Sequence, residues 1–428
     1  MNIQLSGRKL GQTLTTYANR IGAFQRNARL YLINVMLAGA AFGVFRLLFN
    51  FYVLSLGYDE SILGKLITTN NLSALLVALP IGYLADRLGR KWSLLLSGMM
   101  TSVSVMAMVL WPSVGLFYVM NVLLGMAQSL GAVTTAPFLM ENSGEEERTY
   151  LFSFSFGMST LAGFIGNWLG GYLPAWMGTW QGADPTSSAS YGWALGAVSV
   201  LAMLGLVPLF GLRRMYKGGE KEARTMFAPI SYFWKERSLL GRLVLPLLMT
   251  AIGAGMVMPF MNVFFRTVHH QSDGVIGALF AWGSLAMGIG MLIAPPIAEK
   301  YGKIQVVVVT QALSIPFLII LGYSPWFWLS AGAYYVRVAL MNMSNPVYQT
   351  FVMEHVDPES RATVASLTSM AWNFGWAFSP SLSGMLQVES GFGWPFFVTI
   401  VCYIIAVGLY WQYFWRKSEK PVAVAVGD

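Results

Sequence analysis

From about residue 30 onward the chain is a succession of apolar runs, most close to 20 residues long, separated by short polar turns. A bilayer core about 30 Å thick needs roughly 20 consecutive apolar residues for each helical crossing. Backbone in lipid must also satisfy its own hydrogen bonds, which leaves helices or closed barrels. A barrel would show alternating segments of about 10 residues, and the sequence has none. Spans are expected at residues 30–55, 62–85, 93–112, 114–140, 150–176, 190–212, 240–266, 275–298, 304–323, 325–352, 362–387 and 393–415. The expected fold class is therefore an all-α polytopic membrane protein with twelve transmembrane helices. Its 11% charged residues contrast with about 25% in soluble domains.

The net charge of +8 is a topology signal. With these spans, 23 of the 27 Lys and Arg residues fall in the two tails, alternate loops and adjoining span ends (Arg242), on one side, whereas only Arg266, at the far end of its span, marks the opposite side. By the positive-inside rule both termini are expected in the cytoplasm. The basic excess also attracts anionic lipid headgroups, and no nucleic-acid motif accompanies it. The first 28 residues lack the apolar core of a cleavable signal peptide. Residues 9–28 read either as an amphipathic helix on the inner leaflet or as a disordered basic tail. Cys402, the single cysteine, excludes an intrachain disulfide.

The sequence repeats itself at an offset of 213. Asp86, Arg87, Gly89 and Arg90 fall on Glu299, Lys300, Gly302 and Lys303; Glu141 and Arg148 fall on Glu354 and Arg361. One residue of slippage places Asn50 on Asn262. The expected organisation is a tail (1–29), a six-helix bundle (30–212), a linker (213–239), a second six-helix bundle (240–415) and a tail (416–428). Parallel repeats of this kind are a transporter design, with the substrate near mid-membrane between the halves.

The stretch GYLADRLGRK, Gly82 to Lys91, resembles the signature loop G-x-x-x-D-R-x-G-R-K of the major facilitator superfamily. The resemblance covers essentially the whole chain through its spans, repeat and loops. It implies that Asp86 meets the start of the eleventh helix and braces the outward-open state. Glu141 and Arg148 resemble a second family motif, E-x6-R, at the end of the fourth helix. A latch is thus expected in each half: Asp86, Arg90, Glu141 and Arg148, then Glu299, Lys303, Glu354 and Arg361, with Arg87, Lys91, Lys300 and the turn glycines Gly82, Gly89 and Gly302 around them. Solvated loop charges obeying topology are the alternative. In the fifth span, Gly166, Gly170 and Gly171 of GNWLGG resemble the antiporter motif G-P-x-x-G-G, with Asn167 in place of proline. The second half keeps Pro380 and Gly384. Small residues of this kind also serve plain helix packing. The arginine of the R-x-x-Q-G pattern of proton-linked drug exporters is missing: Asn121 stands four before Gly125, although Gln128 is present.

Ionisable residues inside a membrane are costly and are functional candidates. They are Arg46, Lys65 and Arg337. Lys65 can snorkel, and Arg46 can pair with Asp59 or Glu60. The resemblance implies that helices one, four, seven and ten line the cavity. The candidate substrate residues are therefore Arg46, Asn50, Asn262, Arg337, Met341 and Asn345, with Trp372, Asn373 and Trp376 as further lining. The asparagines can equally be interhelical hydrogen-bond partners. Cationic lining would favour an anionic solute, and the Met, Phe and Trp of the second half suit an amphipathic one.

The expected function is secondary active transport of a small organic solute, anionic or amphipathic, outward, by alternating access. Proton-coupled multidrug efflux is the alternative. A membrane-embedded enzyme would need acid–base or metal groups at membrane depth, and His269, His270 and His355 lie in loops. No cofactor or metal is expected. The expected partners are the solute, the bilayer and a coupling proton or ion, with no nucleic acid. By family analogy the chain acts as a monomer in the plasma (inner) membrane.

Overall fold

A computed structural model describes residues 22, 24–213, 237–354, 356 and 361–415. These form helices, with no strand among them. Twelve long helices follow in order: α1 (Arg26–Ser55), α2 (Glu60–Leu88), α3 (Arg90–Leu110), α4 (Val114–Glu141), α5 (Glu145–Gln181), α6 (Ser188–Gly205), α7 (Arg237–Val257), α8 (Asp273–Tyr301), α9 (Lys303–Tyr323), α10 (Phe327–Glu354), α11 (Arg361–Ser390) and α12 (Gly393–Tyr410). The tail to residue 21, with most of the expected helix 9–28, lies outside the described residues. So do most of the linker 213–239 and the tail 416–428.

Eight of the described helices are long and apolar enough to cross a membrane, and a ninth if α2, interrupted at Pro80, counts as one span. The others, α5, α10 and α11, are long enough, at 37, 28 and 30 residues. Their Trp, Ser and Thr content lowers their hydropathy. Helix α5 runs beyond the expected end at 176 and stops where Gly182 adopts a left-handed φ of 69°.

The largest departure from the expected elements is in α7. Pro259 cannot donate to the carbonyl four residues back. The helix stops at Val257, continues as a 3₁₀ turn, Met258–Phe260, and resumes as Met261–Thr267. A short turn, Val207–Phe210, likewise prolongs α6.

The chain forms two compact units, Met1–Phe49 with Leu76–Glu220, and Asn50–Leu75 with Lys221–Asp428. The tip of the α1–α2 hairpin thus belongs to the second unit. Helices in lipid gain little from hydrophobic contact with each other and associate where small residues let backbones approach. Each unit contains such a seam between its first and fifth helices, and the two are repeats. In the first, a Cβ on Gly39 would stand 2.9 Å from the Ala162 Cβ, and one on Gly43 3.1 Å from the Gly166 Cα. In the second, Gly375 meets Ala251 and Gly255 meets Ser379 in the same way. Every partner is displaced by 212 residues in α1/α7 and 213 in α5/α11. Exposed tryptophans mark the helix ends away from the basic loops: Trp111, Trp180 and Trp193 in the first unit, Trp326, Trp328 and Trp394 in the second. That is the placement of an interfacial aromatic belt.

Candidate functional site

At the basic end of the first unit, Gly89 links α2 to α3 with φ of 79°, a conformation that costs other residues dearly. This turn brings Arg90 beneath α2. Its guanidinium reaches Asp86 at 2.9 Å and Glu141 of α4 at 3.1 Å. Arg90 is the covered member, its side chain 13% exposed against 54% for Asp86 and 37% for Glu141. Lys91 donates to the carbonyls of Phe210 (2.6 Å) and Leu212 (2.9 Å). It neutralises the end of the α6 extension, where unpaired carbonyls collect. Arg87 stacks over Tyr83 at 4.6 Å. Gly82 has open space where a Cβ would be. Arg148 stands apart from the cluster: its Nε is buried without a hydrogen-bond partner among the described residues.

The second unit repeats part of this. Gly302 turns with φ of 93°, and Lys303 pairs with Glu354 as Arg90 does with Glu141. Glu299 makes no ion pair with Lys303, so the twin of the Asp86–Arg90 bond is missing. An ammonium is a point charge and lacks the planar fork with which arginine spans two acids. Lys300 lies over Tyr301 at 5.0 Å. The Arg361 side chain is outside those described.

At the other end, the second unit holds the paired asparagines. Asn50 Nδ2 donates to Asn262 Oδ1 at 2.8 Å and to the Pro259 carbonyl at 2.7 Å, and both asparagines are buried. The hairpin tip therefore clasps the break in α7. Arg266 adds to it, stacking at 3.5 Å over Phe51 of α1 and pairing with Asp273 at the start of α8.

The stripe expected on α10 is split. Arg337 is 2% exposed, and its guanidinium donates to Tyr403 Oη (3.0 Å) and Met258 Sδ (3.4 Å), with Nε unpartnered. Met341 receives the Ser314 hydroxyl at 3.1 Å. Asn345 is exposed and donates to Asn342 at 3.4 Å. Each step of four residues advances about 40° around a helix, so the third member has left the face of the first. Arg46 and Lys65 are exposed. The Asp59 carboxylate caps α2, accepting from Ile62 N at 2.9 Å.

The glycine motifs pack as described for α5, where Gly170 meets Val44 and Leu47 and Gly171 is buried. In α11 the counterpart does more. Pro380 cannot donate to the Trp376 carbonyl, and Asn71 Nδ2 of α2 does so instead, at 3.1 Å. Ser381 N donates to Thr68 Oγ1 at 3.1 Å. Gly64 and Gly384 allow the close approach this needs, each lacking the Cβ that would meet backbone of the facing helix. The polar run Thr68–Asn71 inside an apolar span is the sequence signal for this contact. Trp372 and Trp376 lie ring to ring at 6.2 Å.

Two groups outside the spans are perturbed. Burial holds His269 below its ordinary value, helped by the neighbouring His270. Its ring lies among Phe264, Phe265 and Phe327, and Nε2 has no partner. Hydrogen bonds from the Thr186 hydroxyl and then its N–H hold Asp184 below the ordinary carboxylate range.

The chain matches the family model described as Major Facilitator Superfamily over residues 31–380 and 243–426. It is 23% identical over 414 residues to "Multidrug resistance protein MdtG" of Dickeya zeae, covering 93% of this chain and 97% of that one. It is 25% identical over 202 residues to "Uncharacterized MFS-type transporter YdeE" of Escherichia coli, covering 45% and 48%. Among solved structures, the nucleoside transporter NupG superposes with a TM-score of 0.75 at 14% identity, covering 92% of this chain and all of that one. A bacterial homolog of the human lysosomal transporter Spinster, inward-facing and occupied, gives 0.74 at 16% identity, covering 91% and 97%.

Proposed function

The chain belongs to the Major Facilitator Superfamily, and from that premise we propose that it is a secondary active transporter exporting a small amphipathic organic solute by alternating access. The observation that carries this is the pair of repeated ion pairs at the basic end, Arg90–Glu141 and Lys303–Glu354. They are partly solvated and individually weak, so small free energies suffice to make or break them as the carrier changes state. The opposite end is held by buried neutral hydrogen bonds at the α7 break. The basic end is the cytoplasmic one, in the inner membrane, and the carrier acts as a monomer.

Outward direction and breadth of substrate are supported by the similarity to the multidrug resistance proteins MdtG, which align along nearly their whole length. Of the two cations among the candidate substrate residues, exposed Arg46 is the one to attract an anionic group, because Arg337 is enclosed against Tyr403.

The test is efflux in proteoliposomes under an imposed pH gradient, with lipophilic cations, organic anions and sugars run in parallel. Gradient-driven movement of amphipathic compounds, slowed when Arg90 and Lys303 are both changed to Ala, is expected. Movement of sugars alone, or movement indifferent to the gradient, would overturn the reading.

A further inference from the structure

The first unit contains a cavity of about 240 Å³ between α1, α3, α4 and α6. It exceeds the roughly 150 Å³ engineered cavity that takes up benzene. The rings of Phe42 and Phe45 form one side, and Phe42, 42% exposed, stands where the cavity reaches the surface of the unit.

The cavity is not uniformly apolar. Most polar groups on its wall are already committed. Asn34 donates to the Gly205 carbonyl at 2.7 Å, Ser97 to that of Ala127 at 2.8 Å, and Ser199 to that of Ser102 at 2.7 Å. Two groups are not. The Ser102 hydroxyl belongs to a residue 1% exposed and has no hydrogen-bond partner. The Gln128 amide, also on the wall, makes no hydrogen bond among the described residues. Ser102 is thus a buried polar group without a partner, which native structures seldom keep without a reason, and Gln128 is half-buried beside it.

We propose that this cavity is a binding site for a small, uncharged, ring-bearing molecule with a hydrogen-bonding group, whose ring lies against Phe42 and Phe45 and whose polar atom meets Ser102 and Gln128. No charged side chain lines the cavity, so an ionised ligand would lose its hydration without compensation. An acyl chain would fill the space and leave both polar groups unanswered. Every lining residue belongs to the first unit, and the site stands whether or not the efflux reading holds.

Indole and indene have nearly the same shape, and only indole carries an N–H. Melting of the purified full-length protein in one detergent, titrated with each, is the experiment. Indole should bind about fivefold tighter than indene, the worth of one net hydrogen bond. Ser102→Ala and Gln128→Leu should each reduce that ratio toward one while indene binding is unchanged. Ala38→Phe, or Ala202→Phe should the first fail to fold, should abolish the effect of both. Equal binding of indole and indene to the unaltered protein would overturn the proposal. So would shifts that survive the filling substitutions, or a co-purifying phospholipid that Ala202→Phe excludes.

Discussion

Asn50 donates a 2.8 Å hydrogen bond to Asn262, the residue that holds the same place in the second repeat. The same amide holds the Pro259 carbonyl, so one side chain ties the α1 segment to the break in α7. Asn50→Ala strips both bonds and leaves buried polar atoms behind. It should favour the state open at this end by about 1–2 kcal/mol, a five- to thirtyfold population shift. Spin-label distances between residues 58 and 270 in the two loops would read it. Asn262→Ala should do the same, and the double variant should shift less than the sum.

Arg90 and Lys303 are repeat mates with unequal work. Arg90 holds two carboxylates and is largely covered, whereas Lys303 holds one and is more exposed. Arg90→Ala should loosen the basic end by about 1 kcal/mol and Lys303→Ala by about half that or less. Arg90→Lys should fall between the unaltered protein and Arg90→Ala, because an ammonium can hold one carboxylate, as Lys303 does, but cannot fork between Asp86 and Glu141. Labels at the basic end, compared at low and high salt, would separate these outcomes.

The spans and the repeat were legible because both are periodic: apolar length fixes the helices, and charge spacing survives duplication. The direction of Arg337 was not. Helix α10 is apolar on several sides, so the sequence offers no azimuth, and the guanidinium turned inward to Tyr403. The E-x6-R spacing correctly marked a helix end, yet Glu141 went to Arg90 and Arg148 did not join them. The missed contacts had local signals. Pro259 announces a lost donor, and Pro380 names the Trp376 carbonyl as the acceptor left over. The Asn50–Asn262 bond is the interhelical pairing the sequence offers as an alternative; what the sequence lacked was the helix supplying Asn71, which only packing decides.

Gly166 of the α1–α5 seam should tolerate a side chain less well than Gly255 of the α7–α11 seam. A Cβ on Gly166 would stand 3.0 Å from the Gly43 Cα and also press on the Ala40 backbone. Gly166→Ala must therefore move helices apart, at about 1–3 kcal/mol. Gly255→Ala meets chiefly the Ser379 side chain, which can turn aside, and should cost less. Thermal melting of the two variants would order them.

Asn71 and Pro380 should be coupled. Asn71→Ala leaves the Trp376 carbonyl without a donor and should cost about 1 kcal/mol. Pro380→Ala restores a backbone N–H to that carbonyl. In the Pro380→Ala background, Asn71→Ala should then cost little, and a double-mutant cycle by melting would show it. Equal cost in both backgrounds would mean Asn71 acts elsewhere.

The last prediction concerns pH. His269 is buried among aromatic rings, and its neutral form is favoured because burial, and secondarily His270, penalise the charge. The unfolded chain takes up a proton as pH falls through about 6.5; the folded chain resists until lower pH. Below that value the unfolded state binds more protons, so stability declines as pH falls. Above it, His269 is neutral in both states and contributes no slope. Melting temperature should therefore drop between about pH 6.5 and 5, and His269→Phe, which keeps a ring among Phe264, Phe265 and Phe327, should flatten that drop. Asp184, exposed and held low by Thr186, contributes the same sign only nearer the acid end. A slope unchanged in His269→Phe would assign it to other groups.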